Sequence, residues 1–276
     1  MRLATWNVNS VRARLPRLLD WLGTVGPDVV CLQETKCASD AFPSAAVEEL
    51  GYEVAAYGTG QWNGVAVLSR VGLADVVRGF PGEPGFPGPE ARAIAATCAD
   101  LRVWSLYVPN GRSVDDPHFL YKLAWLEAYA AAVAGPVGRG EPTVACGDLN
   151  VAPTDEDVWD PAVFAGATHV TPAERQALAR LRDLGLVDVV PHGQGERRPY
   201  TFWDYRGGAF RQDFGMRIDL VYATPGVGAG VRDAYVDREA RRGTGASDHA
   251  PVVVDLDDLP GVHGEDRRVQ ARRSPG

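Results

Sequence analysis

The sequence predicts one α/β domain whose strands lie buried inside a layered structure. Three observations lead there. Short runs rich in β-branched residues recur along the chain, and several are apolar at every position, as strands covered on both faces are. Helical periodicities interleave with these runs almost to the end of the chain. No internal repeat or composition break divides the 276 residues, a length that one large domain can hold.

Arg2–Val8 reads as the first strand. Leu15–Leu22 follows as a helix with Leu15, Leu18, Leu19 and Leu22 on one face; Pro16 is expected in its first turn, where a missing N–H costs little. Val29–Gln33 is the next strand, Ser44–Leu50 a helix and Val65–Ser69 a strand. Gly79–Pro89 is dense in Gly and Pro and reads as loop. Strands at Ile94–Cys98 and Val103–Val108 precede a helix at His118–Val133. A strand at Thr143–Gly147 and a helix at Pro172–Leu184 come next, then strands at Ile218–Ala223, Val231–Val236 and Pro251–Leu256. The domain is expected to span 1–258, with a polar, Arg-rich and disordered tail over 259–276.

A hydrophobic content of 45% with 23% charged residues fits a globular core. No apolar run approaches the ~18 residues of a membrane span, and the first strand begins where a signal peptide would need its apolar stretch. Cys31, Cys37, Cys98 and Cys146 form no C-x-x-C pair, which argues against a zinc site or disulfide framework. A cytoplasmic protein is expected. The net charge of −8 is unusual for a nucleic-acid binder, but a site made of carboxylates contributes to it, and clustering of basic residues matters more. Of the 28 basic residues only Lys36 and Lys122 are lysine. The arginine bias suits bidentate phosphate contacts and equally reflects genome composition.

The chemically suggestive residues share one position type, the end of an apolar strand. Asn7 and Asn9 end the first, and Glu34 follows C-L-Q. Tyr107 and Asn110 close V-W-S-L-Y-V-P-N-G, and Asp148 and Asn150 follow T-V-A-C-G. Asp219 stands in R-I-D-L-V-Y, and Asp248 and His249 precede A-P-V-V-V-D. Each alone has an ordinary reading as a turn, cap or solvated end. Together they are the inventory that a hard cation and a phosphodiester require, on strand ends that a rigid scaffold can bring together.

The strings A-T-W-N-V-N-S-V-R-A-R, L-Q-E-T-K, Y-V-P-N-G, G-D-L-N-V-A-P-T-D, R-I-D-L and S-D-H-A-P-V, in this order and spacing, resemble the exonuclease III family of apurinic/apyrimidinic endonucleases, within the endonuclease/exonuclease/phosphatase superfamily. The resemblance runs from Met1 to about Leu256. It implies a four-layer α/β sandwich, with two mixed β-sheets packed face to face, helices outside and the active site at one edge. It implies a DNA-repair phosphodiesterase that cuts 5′ to abasic sites and trims 3′ ends. The expected cofactor is Mg²⁺, with Mn²⁺ as a substitute. The expected partner is double-stranded DNA with abasic sites or blocked 3′ ends, bound by a monomer away from membranes.

By the same resemblance Glu34 binds the metal with Asn7 beside it, and Asp148 activates the attacking water. Asn150 orients Asp148 or the phosphate. His249 donates to a phosphate oxygen, with Asp219 accepting from its other ring nitrogen, and Tyr107 and Asn110 contact the scissile phosphate. Asp248 is either a second metal-side carboxylate or a support for His249. On the substrate side, Arg112 and Arg217 are expected DNA contacts, with Arg12, Arg14, Lys36, Arg206 and Arg211 in neighbouring loops. Phe202, Trp203 and Met216 are expected to line a small pocket for a flipped-out bare sugar, plain packing being the alternative for the two aromatics. Ala246 departs from the Pro that bacterial relatives tend to carry. The same fold also serves nonspecific nucleases, sphingomyelinases and inositol-phosphate phosphatases, and a non-catalytic DNA-binding module is the other alternative. Such a module would have lost Glu34, Asp148 or His249, and all three are present.

Overall fold

The computed structural model describes residues 1–193 and 199–257, so the expected tail at 259–276 lies outside the described residues. Strands β1 (Arg2–Asn7), β2 (Val29–Gln33), β3 (Glu53–Tyr57), β4 (Val65–Ser69), β11 (Val231–Val236) and β12 (Val252–Leu256) form one six-stranded sheet, in the order β11-β12-β1-β2-β4-β3. Strands β5 (Ala74–Arg78), β6 (Ala93–Cys98), β7 (Leu101–Tyr107), β8 (Thr143–Asp148), β9 (Val187–Asp188) and β10 (Asp219–Ala223) form the other, in the order β5-β6-β7-β8-β10-β9. Both sheets are mixed: β1 runs parallel to β2 and β7 parallel to β8, and the other pairings are antiparallel.

Strand alternation builds the layers. Leu3, Val29, Cys31 and Val67 of the first sheet share one core with Val103, Val144, Cys146 and Val221 of the second. Their strand neighbours Ala4, Trp6, Val30 and Leu32 turn the other way and pack on Leu18, Trp21 and Leu22 of α1 (Val11–Val25) and on Val47 of α2 (Ser44–Glu48). On the far side, Ala145, Leu220 and Tyr222 pack on Trp125 and Tyr129 of α3 (Pro117–Gly138) and on Leu178 and Leu181 of α4 (Pro172–Asp183). The result is helix, sheet, sheet, helix, the four layers that the motifs imply. None of the described helices is long and apolar enough to cross a membrane.

The inter-sheet face changes character along its length, and this change places the site. Reading two residues at a time, Leu3 leads to Thr5 and Asn7, Cys31 to Gln33, Val103 to Ser105 and Tyr107, and Cys146 to Asp148. At the middle level Gln33 Nε2 donates to Thr5 Oγ1 and to Ser105 Oγ, both at 3.0 Å, joining the sheets by polar contacts. One step further Tyr107, Asp148 and Asp219 stand side by side in register on β7, β8 and β10. Gly147 permits this close pairing: a Cβ there would lie 2.0 Å from the Leu106 carbonyl oxygen.

Three strands escaped the sequence reading: β3, β5 and β9. All are sheet edges, and β5 shows only one half-buried residue among exposed ones. An edge strand buries little, so its sequence carries little periodic signal. The helix expected at Leu15–Leu22 starts earlier, at Val11, because Ser10 caps it by accepting from the Ala13 N–H. Pro16 therefore sits inside the helix and not in its first turn.

Arg217 is not a DNA contact. Its side chain is fully buried; Nε donates to Asp157 Oδ1 at 2.6 Å and Nη2 to Asp188 Oδ2 at 2.9 Å. The guanidinium ties β9 and the Asp155–Asp157 turn to the start of β10, immediately before Asp219. Removing it strands two carboxylates, so Arg217→Met is expected to cost about 3–5 kcal/mol in denaturant unfolding. At temperatures where the variant stays folded, the salt dependence of its DNA binding should match wild type. A shallower salt slope would return Arg217 to the DNA interface.

Candidate active site

The first sheet contributes Asn7, Asn9, Glu34 and Lys36 from the ends of β1 and β2. Asn7 Nδ2 donates to Glu34 Oε1 and to Asp148 Oδ2, both at 2.9 Å, so one amide links carboxylates from the two sheets. Asn7 Oδ1 accepts from the Asn9 N–H at 3.0 Å. Glu34 holds a left-handed backbone with φ 51°, and Lys36 Nζ stands 2.8 Å from Glu34 Oε2. Asn9 Nδ2 reaches across to Asp248 Oδ1 at 3.0 Å.

The second sheet and the loop before β12 supply the rest. Asp148 Oδ1 accepts from the Asn150 N–H at 3.0 Å. Asn150 Nδ2 donates to the Val108 carbonyl at 2.9 Å, and its Oδ1 accepts from Asn110 Nδ2 at 3.3 Å. His249 Nδ1 lies 2.8 Å from Asp219 Oδ2, and Nε2 lies 3.9 Å from Asp148 Oδ2. The S-D-H loop is locked onto β1: Ser247 Oγ donates to the Asn7 carbonyl at 2.7 Å, and Trp6 Nε1 donates to the His249 carbonyl at 3.1 Å. The Phe202 ring sits 4.9 Å from the His249 ring.

The electrostatics follow from burial. Asp148 is 2% exposed. Burial pushes its carboxyl up to about 7; the His249 cation opposes this, and the Asp219 and Glu34 charges add to it. Burial alone would discharge His249, but Asp219 holds its pKa up to about 10. Glu34 feels burial too, yet the Lys36 ammonium and the Asn7 amide keep its carboxyl below the ordinary range. Burial, reinforced by Glu34, drives the Tyr107 hydroxyl well above its usual value, leaving it a neutral donor. The Arg92 guanidinium covers the Tyr107 ring at 4.7 Å.

Glu34, Asp148 and His249 offer possible ligand atoms within 4.8 Å of one another. His249 is engaged by Asp219 and charged, so the donors left for a cation are oxygens. Asp219 Oδ1, buried and without a hydrogen-bond partner, is another oxygen in this cluster. Such a set fits a hard divalent ion and not a zinc cage.

The fold thus joins Asn7, Glu34, Tyr107, Asn110, Asp148, Asn150, Asp219 and His249 in one cluster. Asp248 lies on the Asn9 side, and Asp219 is the residue bonded to the His249 ring. Arg112 is exposed beside Asn110, whose Oδ1 accepts from its N–H at 3.0 Å. Of the expected pocket only Phe202 faces the site's histidine. Trp203 is 1% exposed in a separate cluster with Tyr200, Ala209 and Ala250, and its Nε1 donates to Asp213. It is a packing residue, because an indole filling that core has no face left for a sugar. Met216 bridges to the Phe202 backbone, and its side chain packs with Ala152, Val158 and Ile218 in a cluster against which Phe202 also packs.

Sequence reasoning missed Lys122, Thr168, His169 and Glu174, which back the Asn110–Asn150 wall. It also missed Trp62, which is 76% exposed next to Asn63, whose carbonyl accepts from the Lys36 N–H at 2.9 Å. The scarcity of lysine was a usable signal, since both lysines border the site.

The His249–Asp219 pair has a pH signature. The imidazole pKa is raised above its ordinary value of 6.5, so the stability it contributes is complete below pH 6.5 and is lost as pH rises through about 10. An NMR titration should find His249 still protonated at pH 8. In Asp219→Asn the titration should fall toward neutrality, and the alkaline loss of stability should shrink. A neutral His249 at pH 8 in the wild type would refute the pairing.

The comparisons with known proteins agree with this geometry. Residues 4–249 match the family described as Endonuclease/Exonuclease/phosphatase family. The zebrafish (Danio rerio) DNA repair nuclease APEX1 is 30% identical over 93% of this chain and 82% of its own length. The structure of 3′ phosphatase NExo from Neisseria, bound to product DNA hairpin, is 39% identical, with TM-score 0.89 over 93% of this chain and 99% of that one. An AP endonuclease from Archaeoglobus fulgidus is 37% identical, with TM-score 0.88 over 94% of this chain and 100% of that one. Two six-stranded sheets closing on one carboxylate-rich edge, and a match that spans nearly all of the chain, show that this protein belongs to the endonuclease/exonuclease/phosphatase family.

Proposed function

We propose that this chain is a DNA-repair phosphodiesterase that cuts the backbone 5′ to abasic sites and trims blocked 3′ ends, acting as one catalytic domain. The observation that carries this reading is the position of Asp148: a buried carboxylate with Glu34 and Asn7 on one side and the charged His249 on the other. The relatives support it, since a DNA repair nuclease matches 93% of this chain in sequence, and an AP endonuclease and a 3′ phosphatase bound to product DNA share its fold. In this reading the substrate is double-stranded DNA bound by a cytoplasmic monomer. The exposed Arg112, Tyr205 and Trp62 stand beside the site residues Asn110, Asn9 and Lys36, and in this reading they supply cationic and stacking contacts to DNA, with Arg12 and Arg206 as further exposed cations, despite the net charge of −8.

Each residue has a task that its surroundings suit. Asp148, raised toward neutral pH by burial, accepts a proton from the attacking water. The water oxygen bonds to phosphorus, and the bond from phosphorus to the 3′ oxygen breaks; that oxygen leaves with the bonding pair and takes a proton from solvent to become the 3′ hydroxyl. Asn150 fixes the carboxylate through its N–H, and Asp148 turns its other oxygen toward Asn7 and His249. The His249 imidazolium donates from Nε2 to a nonbridging phosphate oxygen while Asp219 holds the opposite nitrogen. Tyr107 and Asn110 donate to the same phosphate. Mg²⁺, or Mn²⁺ in its place, would be held by Glu34 with Asn7 beside it, and would supply Lewis-acid neutralisation of developing charge. Asp248 supports Asn9 in this scheme.

The decisive experiment is digestion of a labelled duplex carrying one abasic site, beside a 3′-phosphate end, an undamaged duplex and a phosphoinositide. Cleavage of the damaged DNA alone is expected; turnover of the phosphoinositide in its place would sink the reading. EDTA should abolish activity and Mg²⁺ restore it, while Glu34→Gln should raise the Mg²⁺ concentration needed for half-maximal rate. Undiminished activity after exhaustive chelation would rule out the metal assignment. Asp148→Asn should lower kcat by about 100-fold or more while DNA affinity stays near wild type, since it removes the proton acceptor and an acceptor for Asn7 but no contact to DNA. Near-normal turnover in that variant would assign the base elsewhere.

A further inference from the structure

Behind the phosphate-side wall lies a fully buried ion pair that the reaction itself does not use. Lys122, in the second turn of α3, and Glu174, in the first turn of α4, are both 0% exposed. Lys122 Nζ contacts Glu174 Oε1 and donates to the Asn150 carbonyl at 2.6 Å and the Asn110 carbonyl at 3.2 Å. Glu174 Oε1 also accepts from Thr168 Oγ1 at 2.8 Å and the His169 N–H at 2.9 Å, while Oε2 accepts from the Thr171 N–H and hydroxyl. His169 completes the ring of contacts, with Nδ1 2.6 Å from the Asn150 carbonyl and Nε2 3.4 Å from Asn110 Nδ2.

We infer that Lys122 and Glu174 are positioning residues, which set the conformation of the two loops that present Asn110 and Asn150 to the substrate phosphate. Three observations carry this. Glu174 closes the capping box of α4 with Thr171, but that role does not need a buried ammonium beside it, and a buried ion pair is poor value for stability, since apolar residues of similar volume often do as well or better; the presence of Lys122 therefore calls for another reason. The backbone it grips is unfavourable by itself: Arg112, Asn150 and His169 have φ of 57°, 54° and 80°. Such conformations persist where the surroundings over-determine them, and one ammonium bonded to two loop carbonyls does that. Finally, the chain has only two lysines among 28 basic residues, and both stand against the site. A compact ammonium can serve several carbonyls at one point, whereas a planar guanidinium spreads its donors in a fork.

The inference rests on the nuclease reading for its activity readout and on hydrogen exchange for an independent one. In Lys122→Met/Glu174→Leu the melting temperature should fall, because the Asn110 and Asn150 carbonyls and the Thr168, His169 and Thr171 donors lose their partners, but by less than in Lys122→Met alone, which also leaves the Glu174 charge buried and unpaired. On a duplex with a 3′-phosphate or abasic site, the double variant should lose on the order of 10- to 100-fold in kcat, with KM changed by no more than about twofold. Amide exchange should quicken at 110–112 and 149–151 and stay unchanged in the centres of β7 and β8. If the folded double variant keeps wild-type kcat, or its loop exchange is unaltered, the inference is overturned. Should the double variant fail to fold, Glu174→Gln, which keeps the shape, is judged by the same two readouts. If the wild type hydrolyses no DNA substrate, the nuclease reading falls, and exchange at the two loops alone decides the positioning role.

Discussion

The site depends on one amide. Asn7 Nδ2 donates at once to Glu34 and to Asp148, carboxylates from opposite sheets. Two such groups facing each other across a dry gap would repel, and the sheets could not close at that end. The shared donor, the Lys36 ammonium beyond Glu34 and the His249 cation beyond Asp148 make the closure possible. A cation between the carboxylates would extend the same compensation.

The gap between the sheets is therefore one continuous surface with graded chemistry. At its base it is aliphatic, with Leu3, Cys31, Val103, Cys146 and Val221 supplying the burial that drives folding. At mid-height Thr5, Gln33 and Ser105 bond across it. At its mouth stand Asn7, Tyr107, Asp148 and Asp219. Because side chains repeat every two residues, extending a core-facing strand by one repeat puts a residue at the mouth. The apolar part gives rigidity, and the polar part spends some of that rigidity on holding charges away from water. The left-handed backbones of Asn9, Glu34, Asn150 and His169 gather at the same mouth, where loops must turn sharply without letting the site drift.

What could be read from the chain follows from how much each element buries. The central strands were legible because both faces are covered and every position is apolar. Edge strands β3, β5 and β9 were not, since solvent covers much of what they present. The cluster of Asn7, Glu34, Asp148, Asp219 and His249 was legible as a set of polar residues at strand ends in a recognised order. Arg217 was misread because an arginine beside a motif looks the same whether it faces phosphate or two aspartates. Trp203 was misread because an aromatic run does not say which ring faces the site; burial assigned Trp203 to packing and Phe202 to the His249 ring.

The sequence by itself determined the layered α/β class, the central strands and the chemical inventory of the site, because those depend on local periodicity and on residue types at strand ends. Only the tertiary structure decided which partners those residues take. The Asp248 side chain accepts from Asn9, Asn7 bridges the two carboxylates, and Lys122 with Glu174 stands behind Asn110 and Asn150. The physical reason is separation along the chain. Asn7 and Asp148 are 141 residues apart, and a hydrogen bond between them exists only once two sheets have packed and excluded water from the space between.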